Sequence, residues 1–274
     1  MTRLAGHHAL VTGGGSGIGA AIAQALAGEG AALTLVGRRK DRLNEVAAAC
    51  GPAQAGAESG DGAAGPGPAP GHILVAPADV TDRAQVGAAF AAARAANGPI
   101  TILVNNAGTA RSLPFARLTP DIWRAIMAVN CDALLHCCQA ALPDLLAAEA
   151  GRIVTVASTA ALKGYAYSAP YCAAKHGAVG LTRALAAEFA KTNLTINAVC
   201  PGFTDTEMVA ETVAMLTAKT GRDADAVRAD LACFNPQGRL LDPAEVASAV
   251  IWLCLPANRS ITGQAIAVAG GEVM

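Results

Sequence analysis

Residues 9–31, which read ALVTGGGSGIGAAIAQALAGEGA, decide the fold. A short apolar run ending at Val11 predicts a β-strand, residues 12–19 predict a tight turn, and the alanine-rich residues beyond predict a helix. Glycines allow unusual backbone angles, so a pyrophosphate can approach the helix N-terminus, where free N–H groups favour an anion. A glycine-rich turn alone is weak evidence, but this one has the strand–turn–helix context that a nucleotide site requires.

The rest of the chain repeats the alternation of strand and helix. Strands separated by helices pair in parallel through right-handed crossovers, which predicts a doubly wound α/β sheet. Short apolar runs predict seven strands, at 8–12, 32–36, 73–76, 101–104, 151–157, 194–200 and 264–268. Longer alanine- and leucine-rich patterns predict helices at 17–29, 39–49, 82–96, 119–148, 168–191 and 242–255.

Five separate motifs follow directly on predicted strand ends. They begin at Gly13, Asp79, Asn106, Ser158 and Pro201. Because the carboxyl ends of parallel strands lie along one edge of an open sheet, and ligands bind at that edge, we expect these motifs to converge on one site.

The segment VASTAALKGYAYSAPYCAAK, residues 156–175, carries a set of residues suited to proton transfer. The spacing of Tyr171 and Lys175 places them on one face of a helix, a turn apart. An ammonium beside a phenol favours the phenolate, so we expect Lys175 to lower the pKa of Tyr171. The hydroxyl of Ser158, at the end of a strand, can hydrogen-bond a carbonyl oxygen that gains or loses a proton.

Together these motifs resemble the short-chain dehydrogenase/reductase family. The matching segments are TGxxxGIG from Thr12, NNAG at residues 105–108, the upstream Asn130, the Ser-Tyr-Lys set and PGxxxT at residues 201–206. They occur in the family's order and cover essentially the whole chain. The resemblance implies a single Rossmann-type domain over residues 1–274 and an oxidoreductase that moves a hydride between NAD(P)(H) and a carbonyl or secondary alcohol.

The resemblance also implies the catalytic roles. Tyr171 is the expected acid/base, Ser158 steadies the substrate oxygen, and Lys175 favours the tyrosinate and holds the nicotinamide ribose. Asn130 matches the family's helix asparagine that holds a water in a proton relay with the lysine. Tyr165 and Tyr167 are competing candidates for the base, but neither has a lysine four residues on, so we expect both to line the substrate mouth.

Cofactor contacts follow in the same way. Asp79 is expected at the adenine with Val80 beside it, Asn106 and Gly108 at the adenosine ribose, and Thr206 at the nicotinamide carboxamide. The full set of expected cofactor-binding residues is Gly13, Gly15, Ser16, Gly17, Ile18, Gly19, Arg38, Asp79, Val80, Asn106, Ala107, Gly108, Tyr171, Lys175, Pro201, Gly202, Thr204 and Thr206.

The residues after the second strand favour NADP(H). A carboxylate there would accept the adenosine ribose hydroxyls and repel a 2′-phosphate. Gly37 occupies that place, and the guanidinium of Arg38, which follows, can grip a phosphate. NAD(H) stays the alternative, because Ser16 is neutral where some NADP enzymes have a second basic residue.

Two segments depart from the regular pattern. Residues 51–72 contain seven glycines, four prolines and six alanines, which predicts a flexible insertion without a catalytic role. Residues 204–234 are expected to lack regular structure and, by the resemblance, to form a lid over the substrate, with a buried structural helix as the alternative.

The composition limits the classes of partner that we expect for this protein. A net charge of −1 gives no electrostatic footprint for nucleic acid. No run of large apolar residues reaches membrane-spanning length, and the first predicted strand leaves no room for a signal peptide, so we expect a cytoplasmic protein without a membrane partner. The 8 cysteines and 5 histidines lack metal-ligand spacing, which predicts no metal site.

The substrate is the least determined feature. The segments around Tyr171 and Pro201 resemble 3-oxoacyl thioester reductases and 3-hydroxyacyl-CoA dehydrogenases, which favours a thioester of CoA or acyl carrier protein. A non-thioester secondary alcohol, cyclic ketone, steroid or sugar is the alternative, and a catalytically silent dinucleotide-binding protein is a third. Arg111, Lys163, Lys219 and Arg222 are candidate cations for a pantetheine diphosphate.

The resemblance further implies a homotetramer paired through the helices at 119–148 and 168–191.

Overall fold

A computed structural model describes residues 2–51 and 71–274. The predicted insertion at 51–72 therefore falls almost entirely outside the described residues, since only Gly51, Gly71 and His72 belong to them.

The centre of the fold is a seven-stranded sheet in which every pair of neighbours is parallel. The strand order is β3-β2-β1-β4-β5-β6-β7, so the chain winds outward in both directions from β1 and β4. This confirms the predicted doubly wound fold. The strands are β1 His8–Thr12, β2 Ala32–Gly37, β3 Ile73–Pro77, β4 Ile102–Asn105, β5 Arg152–Val156, β6 Thr195–Pro201 and β7 Ala265–Val268.

Helices cover both faces of the sheet. One core layer packs the first and last long helices against each other, and a second core layer lies on the opposite face. The helices are α1 Gly17–Gly28, α2 Lys40–Ala49, α3 Arg83–Asn97, α4 Pro120–Met127, α5 Ala133–Ala147, α6 Ala169–Glu188, α7 Glu207–Thr220, α8 Ala224–Ala232 and α9 Pro243–Cys254.

The predicted helix at 119–148 is interrupted. A π-helical segment, residues 128–132, joins α4 to α5 and contains Asn130. Such bulges insert one residue into the helical ladder and occur frequently at functional sites. Apolar residues continue on both sides of the interruption, so the hydrophobic periodicity of the sequence could not have shown it.

The same run from Pro120 to Ala147 is long and apolar enough to cross a membrane, by length and composition only, with a mean hydropathy of 1.4 over an 18-residue window. The sequence-based expectation counted only large apolar side chains and missed this, because alanine and cysteine supply much of the hydropathy. A core helix has the same properties, so the evidence for a span is weak. In this fold α4 packs on α6, and α5 packs on α3.

The segment at 204–234 is helical, which corrects the prediction that it lacks regular structure. Thr206 precedes α7, Gly221 ends it with a φ of 66°, and the side chain of Asp223 caps α8. Val209, Val213, Val227 and Leu231 form a small core between these two helices, with Phe203 packed against it. The local signals were present in the N-cap and the C-terminal glycine, but each helix buries only two residues and so carries a weak periodic pattern.

Candidate active site

The glycine-rich turn between β1 and α1 is a close-packed cradle. Gly13 and Gly17 have φ angles of 64° and 53°, which only glycine adopts without strain. A Cβ on Gly19 would collide with the carbonyl oxygen of Gly13, and a Cβ on Gly13 would lie 2.9 Å from the Cα of Ala107. Larger side chains therefore cannot enter this turn, and the N–H groups at the start of α1 stay accessible to an anion.

The NNAG segment holds the cradle in place. The Asn106 side-chain amide donates to the carbonyl oxygens of Thr12 at 3.2 Å and Gly13 at 3.1 Å. The hydroxyl of Thr12 in turn accepts from the backbone N–H groups of Asn106 and Ala107. The side chain of Asn106 is thus engaged with the turn itself, and a contact from this residue to the adenosine ribose stays a prediction.

Asp79 lies at the same edge of the sheet, and its carboxylate is ionised. Its Oδ1 accepts from the backbone N–H of Thr81 at 2.9 Å and from the Thr81 hydroxyl at 2.8 Å. These hydrogen bonds lower the pKa of Asp79. The neighbouring Val80 is buried, and contacts from this pair to an adenine stay a prediction.

Arg39, which the sequence analysis passed over, lies beside the glycine-rich turn. Its Nη2 donates to the Ser16 hydroxyl at 3.2 Å and also contacts Glu207. Arg38 is exposed and close enough to Asp79 to contribute to the lowered pKa of that carboxyl. A basic side chain therefore lies beside the neutral Ser16. The doubled arginine after Gly37 was the available signal.

Ser158, Tyr171 and Lys175 come together at the carboxyl end of β5. Lys175 is buried and its Nζ donates to the Val156 carbonyl oxygen at 2.9 Å. The same Nζ lies 5.7 Å from the centre of the Tyr171 ring. Ser158, at the N-terminus of a short 3₁₀ turn, lies close enough to Tyr171 to influence its pKa. The predicted set is therefore assembled in the fold.

The expected lowering of the Tyr171 pKa is wrong for this geometry. Burial raises the pKa of Tyr171 to about 12, and the nearby Ser158 hydroxyl offsets only part of that rise. Burial also lowers the pKa of Lys175 to about 8. Desolvation penalises the charged form of both groups, and here it outweighs the attraction between ammonium and phenolate that spacing alone suggested.

Asn130 is fully buried in the π-helical segment and faces the loop after β4. Its Nδ2 donates to the Thr109 carbonyl oxygen at 2.8 Å and to the Ile126 carbonyl oxygen at 3.0 Å, and its Oδ1 accepts from the Thr109 N–H at 3.3 Å. A Cβ on Gly108 would lie 3.0 Å from Asn130 Oδ1 and 3.6 Å from Lys175 Nζ. Asn130 and Lys175 are therefore neighbours across Gly108, and a proton relay through Asn130 stays a prediction.

The PGxxxT segment passes over the glycine-rich turn. A Cβ on Gly17 would lie 3.0 Å from Cγ2 of Thr206, so this threonine covers the start of α1. The Thr206 hydroxyl donates to the Thr204 carbonyl oxygen at 3.2 Å, and the Thr204 hydroxyl donates to Gly202 at 3.0 Å. Both hydroxyls stabilise the loop, so a contact from Thr206 to the nicotinamide carboxamide stays a prediction.

Tyr165 belongs to a polar and aromatic cluster that includes Glu272, a residue the sequence analysis did not single out. The Tyr165 hydroxyl contacts the Glu272 carboxylate and lies 2.6 Å from the Thr159 hydroxyl. Its ring packs on Phe203 and Phe234, at either end of the lid helices. Burial and the carboxylate raise the pKa of Tyr165, which makes it a poor base. It forms a wall of the cleft.

Tyr167 is exposed, with a φ of 65° that is rare outside glycine. Its carbonyl oxygen accepts from the N–H of Leu113, which ties the loop before α6 to the loop after β4. This position at the outer edge fits the predicted place at the mouth of the cleft.

Two of the four cations proposed for a diphosphate are paired with carboxylates. Lys163 lies 3.1 Å from Glu272, whose side chain is only 1% exposed, and Arg222 lies 2.7 Å from Asp230. Arg111 and Lys219 are exposed. Among residues 2–51 and 71–274, no group of three or more His, Cys, Asp or Glu side chains is arranged to hold a metal ion.

Comparison with known proteins identifies the family to which the chain belongs. A family model described as short chain dehydrogenase matches residues 7–217. The chain is a member of the short-chain dehydrogenase/reductase family. Members of this family are oxidoreductases that act on CH–OH groups with a nicotinamide cofactor, so this short-chain dehydrogenase/reductase is an enzyme of that kind.

Relatives of this family member differ in substrate. It is 37% identical over 273 residues to the monensin polyketide synthase putative ketoacyl reductase of Streptomyces virginiae, covering 99% of this chain and 98% of the relative. It is also 37% identical to the cis-4-hydroxycyclohexanecarboxylate dehydrogenase of Sinomonas cyclohexanicum, covering 96% and 95%. The solved structure of an F189W actinorhodin polyketide ketoreductase with NADPH superposes with a TM-score of 0.87 at 32% identity, covering 97% of each chain.

Proposed function

We propose that this enzyme reduces the 3-oxo group of an acyl thioester with NADPH. The observation that carries the proposal is the assembly of Ser158, Tyr171 and Lys175 beside a glycine cradle at one edge of the sheet. Ketoacyl and polyketide ketoreductases among the similar proteins support the substrate class. CoA and carrier-protein thioesters remain equal candidates.

The residues present fit a dinucleotide. The cradle at Gly13 and Gly19 has no room for a Cβ, and its position at the N-terminus of α1 suits a pyrophosphate. Asp79 and Val80 would hold the adenine, and Lys175 would reach the nicotinamide ribose. When bound, the nicotinamide supplies the hydride, and the protein aligns the reacting groups.

Tyr171 is the proton donor in this mechanism. With a pKa raised to about 12, its phenol is protonated at neutral pH and can donate to the substrate oxygen as that oxygen gains charge. The Ser158 hydroxyl donates a second hydrogen bond to the same oxygen. Lys175, adjacent to Asn130 across Gly108, stabilises the tyrosinate that forms and provides the route by which a proton returns to it.

The choice of NADP(H) rests on charge around the end of β2. Arg38 and Arg39 follow Gly37, and Arg39 reaches Ser16 in the glycine-rich turn. Two guanidinium groups at this point would attract a 2′-phosphate, which a carboxylate at the position of Gly37 would repel. The NADPH bound to the similar ketoreductase is in keeping with this choice.

A cyclic secondary alcohol or ketone is the second candidate substrate. The aromatic side chains of Tyr165, Phe203 and Phe234 form an apolar wall that suits a ring as well as an acyl chain. A relative of similar identity is named for the oxidation of a hydroxycyclohexane carboxylate. Pairing of Lys163 and Arg222 with carboxylates also reduces the positive charge available for a diphosphate.

Steady-state kinetics with three substrates would test the proposal. We expect the highest kcat/KM with acetoacetyl-CoA or a 3-oxoacyl carrier protein, and a much lower value with an unesterified cyclic ketone. Each substrate is assayed with NADPH and with NADH at equal concentration. A free ketone that is reduced far more efficiently than either thioester would replace this proposal with the cyclic-alcohol candidate.

We also propose that the enzyme is a homotetramer. Leu135 on α5 and Trp123 on α4 are 45% and 38% exposed, which gives the predicted pairing helices apolar surface to bury. Light scattering at micromolar concentration tests this, and a monomeric mass would contradict it.

A further inference from the structure

A carboxylate on the lid lies between two arginines of the cofactor side. Glu207 is in the first turn of α7, and its Oε2 lies 3.2 Å from Nη2 of Arg39. Its Oε1 pairs with Nη2 of Arg42, on α2. The proposed mechanism uses none of these ion pairs.

Arg39 connects this carboxylate to the cofactor cradle. The Nη2 that contacts Glu207 also donates to the hydroxyl of Ser16, the residue before α1. Arg39 follows Arg38 at the end of β2, where the proposed function places the 2′-phosphate of the cofactor. A single guanidinium therefore lies between the expected phosphate position and the lid.

The charges at this point oppose one another. A phosphate monoester carries the same sign as Glu207 and would use the same guanidinium through charge-assisted hydrogen bonds. Two anions on one cation repel each other, more strongly near protein than in bulk water. Arg42 pairs with both Glu45 and Glu207, so it can retain Glu207 when Arg39 turns toward a phosphate.

We propose that Glu207 is a specificity-determining residue for the cofactor. Its carboxylate occupies Arg39 in the free enzyme and opposes the 2′-phosphate, so it weakens the binding of NADPH but not of NADH. This inference rests on the proposed use of NADP(H), and it adds to that site a carboxylate that opposes the 2′-phosphate.

Equilibrium binding of NADPH and NADH to the full chain tests it. Glu207→Gln removes the charge and keeps the size, so the dissociation constant for NADPH should fall about threefold or more, whereas that for NADH should not change. Glu211→Gln is the matched control, because Glu211 is exposed one turn further along α7 and the same charge is removed. It should leave both constants unchanged.

A double-mutant cycle assigns the effect to Arg39. In an Arg39→Ala background, Glu207→Gln should lose most of its effect on NADPH. The inference is overturned if Glu207→Gln leaves NADPH binding unchanged, if it strengthens both cofactors equally, or if its effect persists without Arg39.

The cofactor proposal is tested separately by wild-type binding. A wild-type enzyme that binds NADH more tightly, and whose affinity for NADPH does not respond to Arg38→Ala, contradicts the preference for NADP(H). The effect of Glu207→Gln on NADPH can still be measured in that case, so the two failures are distinguishable.

Discussion

Lys175 Nζ lies 5.7 Å from the centre of the Tyr171 ring. The ammonium faces the ring and donates its hydrogen bond to the Val156 carbonyl oxygen at 2.9 Å. Lys175 therefore acts on the phenol through its charge, and the loss of that charge should affect proton transfer without displacing Tyr171.

Replacing Tyr171 with Phe should abolish turnover while cofactor binding is retained. The change removes the proton donor and leaves the ring, and general acid catalysis contributes roughly 10²–10⁴-fold. The measurements are kcat and the dissociation constant for NADPH. Tyr165→Phe is the control, because it removes a phenol hydroxyl from the cleft wall. Substantial turnover in Tyr171→Phe would refute the assignment.

The pH dependence of reduction should follow Lys175. Tyr171 stays protonated up to about pH 12, whereas Lys175, with a pKa lowered to about 8, loses its charge above that pH. We expect kcat/KM for ketone reduction to be level below pH 8 and to fall above it. In Lys175→Arg, whose guanidinium stays charged, the fall near pH 8 should disappear even though the maximal rate is lower. A level profile through pH 9.5 in the wild type would contradict this.

Gly19→Ala should destroy the cofactor cradle. The added Cβ collides with the Gly13 carbonyl oxygen and the Asn106 side chain, so the turn must open. We expect NADPH binding to weaken at least about tenfold and the melting temperature to fall, as overpacking costs about 1–3 kcal/mol. Gly28→Ala, at the other end of α1, has no atom within 4 Å of its Cβ and should leave binding unchanged. Equal losses in the two variants would show that the cradle is not the cause.

His8 should make the fold less stable in acid. The buried ring contacts the Gly98 carbonyl oxygen and the Thr34 hydroxyl, both at 2.9 Å, and burial lowers its pKa. The folded ring stays neutral while the unfolded ring takes a proton, so its contribution is present above about pH 6.5 and is lost as the pH falls below it.

The measurement for His8 is the free energy of unfolding between pH 7.5 and 5. The loss due to one proton reaches at most about 1.4 kcal/mol for each pH unit. His8→Gln should flatten this dependence, whereas His176→Gln, at an exposed position on α6, should not. His7 has a lowered pKa as well and adds to the wild-type slope, so the difference between variants is the informative quantity.

Arg38→Ala should reduce the preference for NADPH. Loss of a charge-assisted hydrogen bond to phosphate costs about 1.5–3 kcal/mol, which corresponds to roughly 10–150-fold in kcat/KM with NADPH. The value with NADH should change little. A wild type that uses NADH better than NADPH, with no response to this substitution, would identify Arg38 as an exposed arginine of an NAD enzyme.

Most of the secondary structure could be predicted because local patterns determine it. The apolar runs located all seven strands within about two residues. The turn at Gly13–Gly19 could be predicted because repeated glycines after a strand are typical of a tight turn. Helices α7 and α8 were missed because each buries only two residues, in a small core that the two helices share.

The sequence by itself predicted the sheet and the glycine cradle from local patterns, and it predicted the catalytic residues from the resemblance of its motifs to the short-chain dehydrogenase/reductase family. Only the tertiary structure showed that Glu207 pairs with Arg39 and that Glu272 pairs with Lys163, since these partners lie more than a hundred residues apart in the sequence. It also reversed the expected direction of the Tyr171 pKa, because burial is a property of the packed site. Spacing indicates which groups can meet, but desolvation and distant charges decide how they ionise once they do.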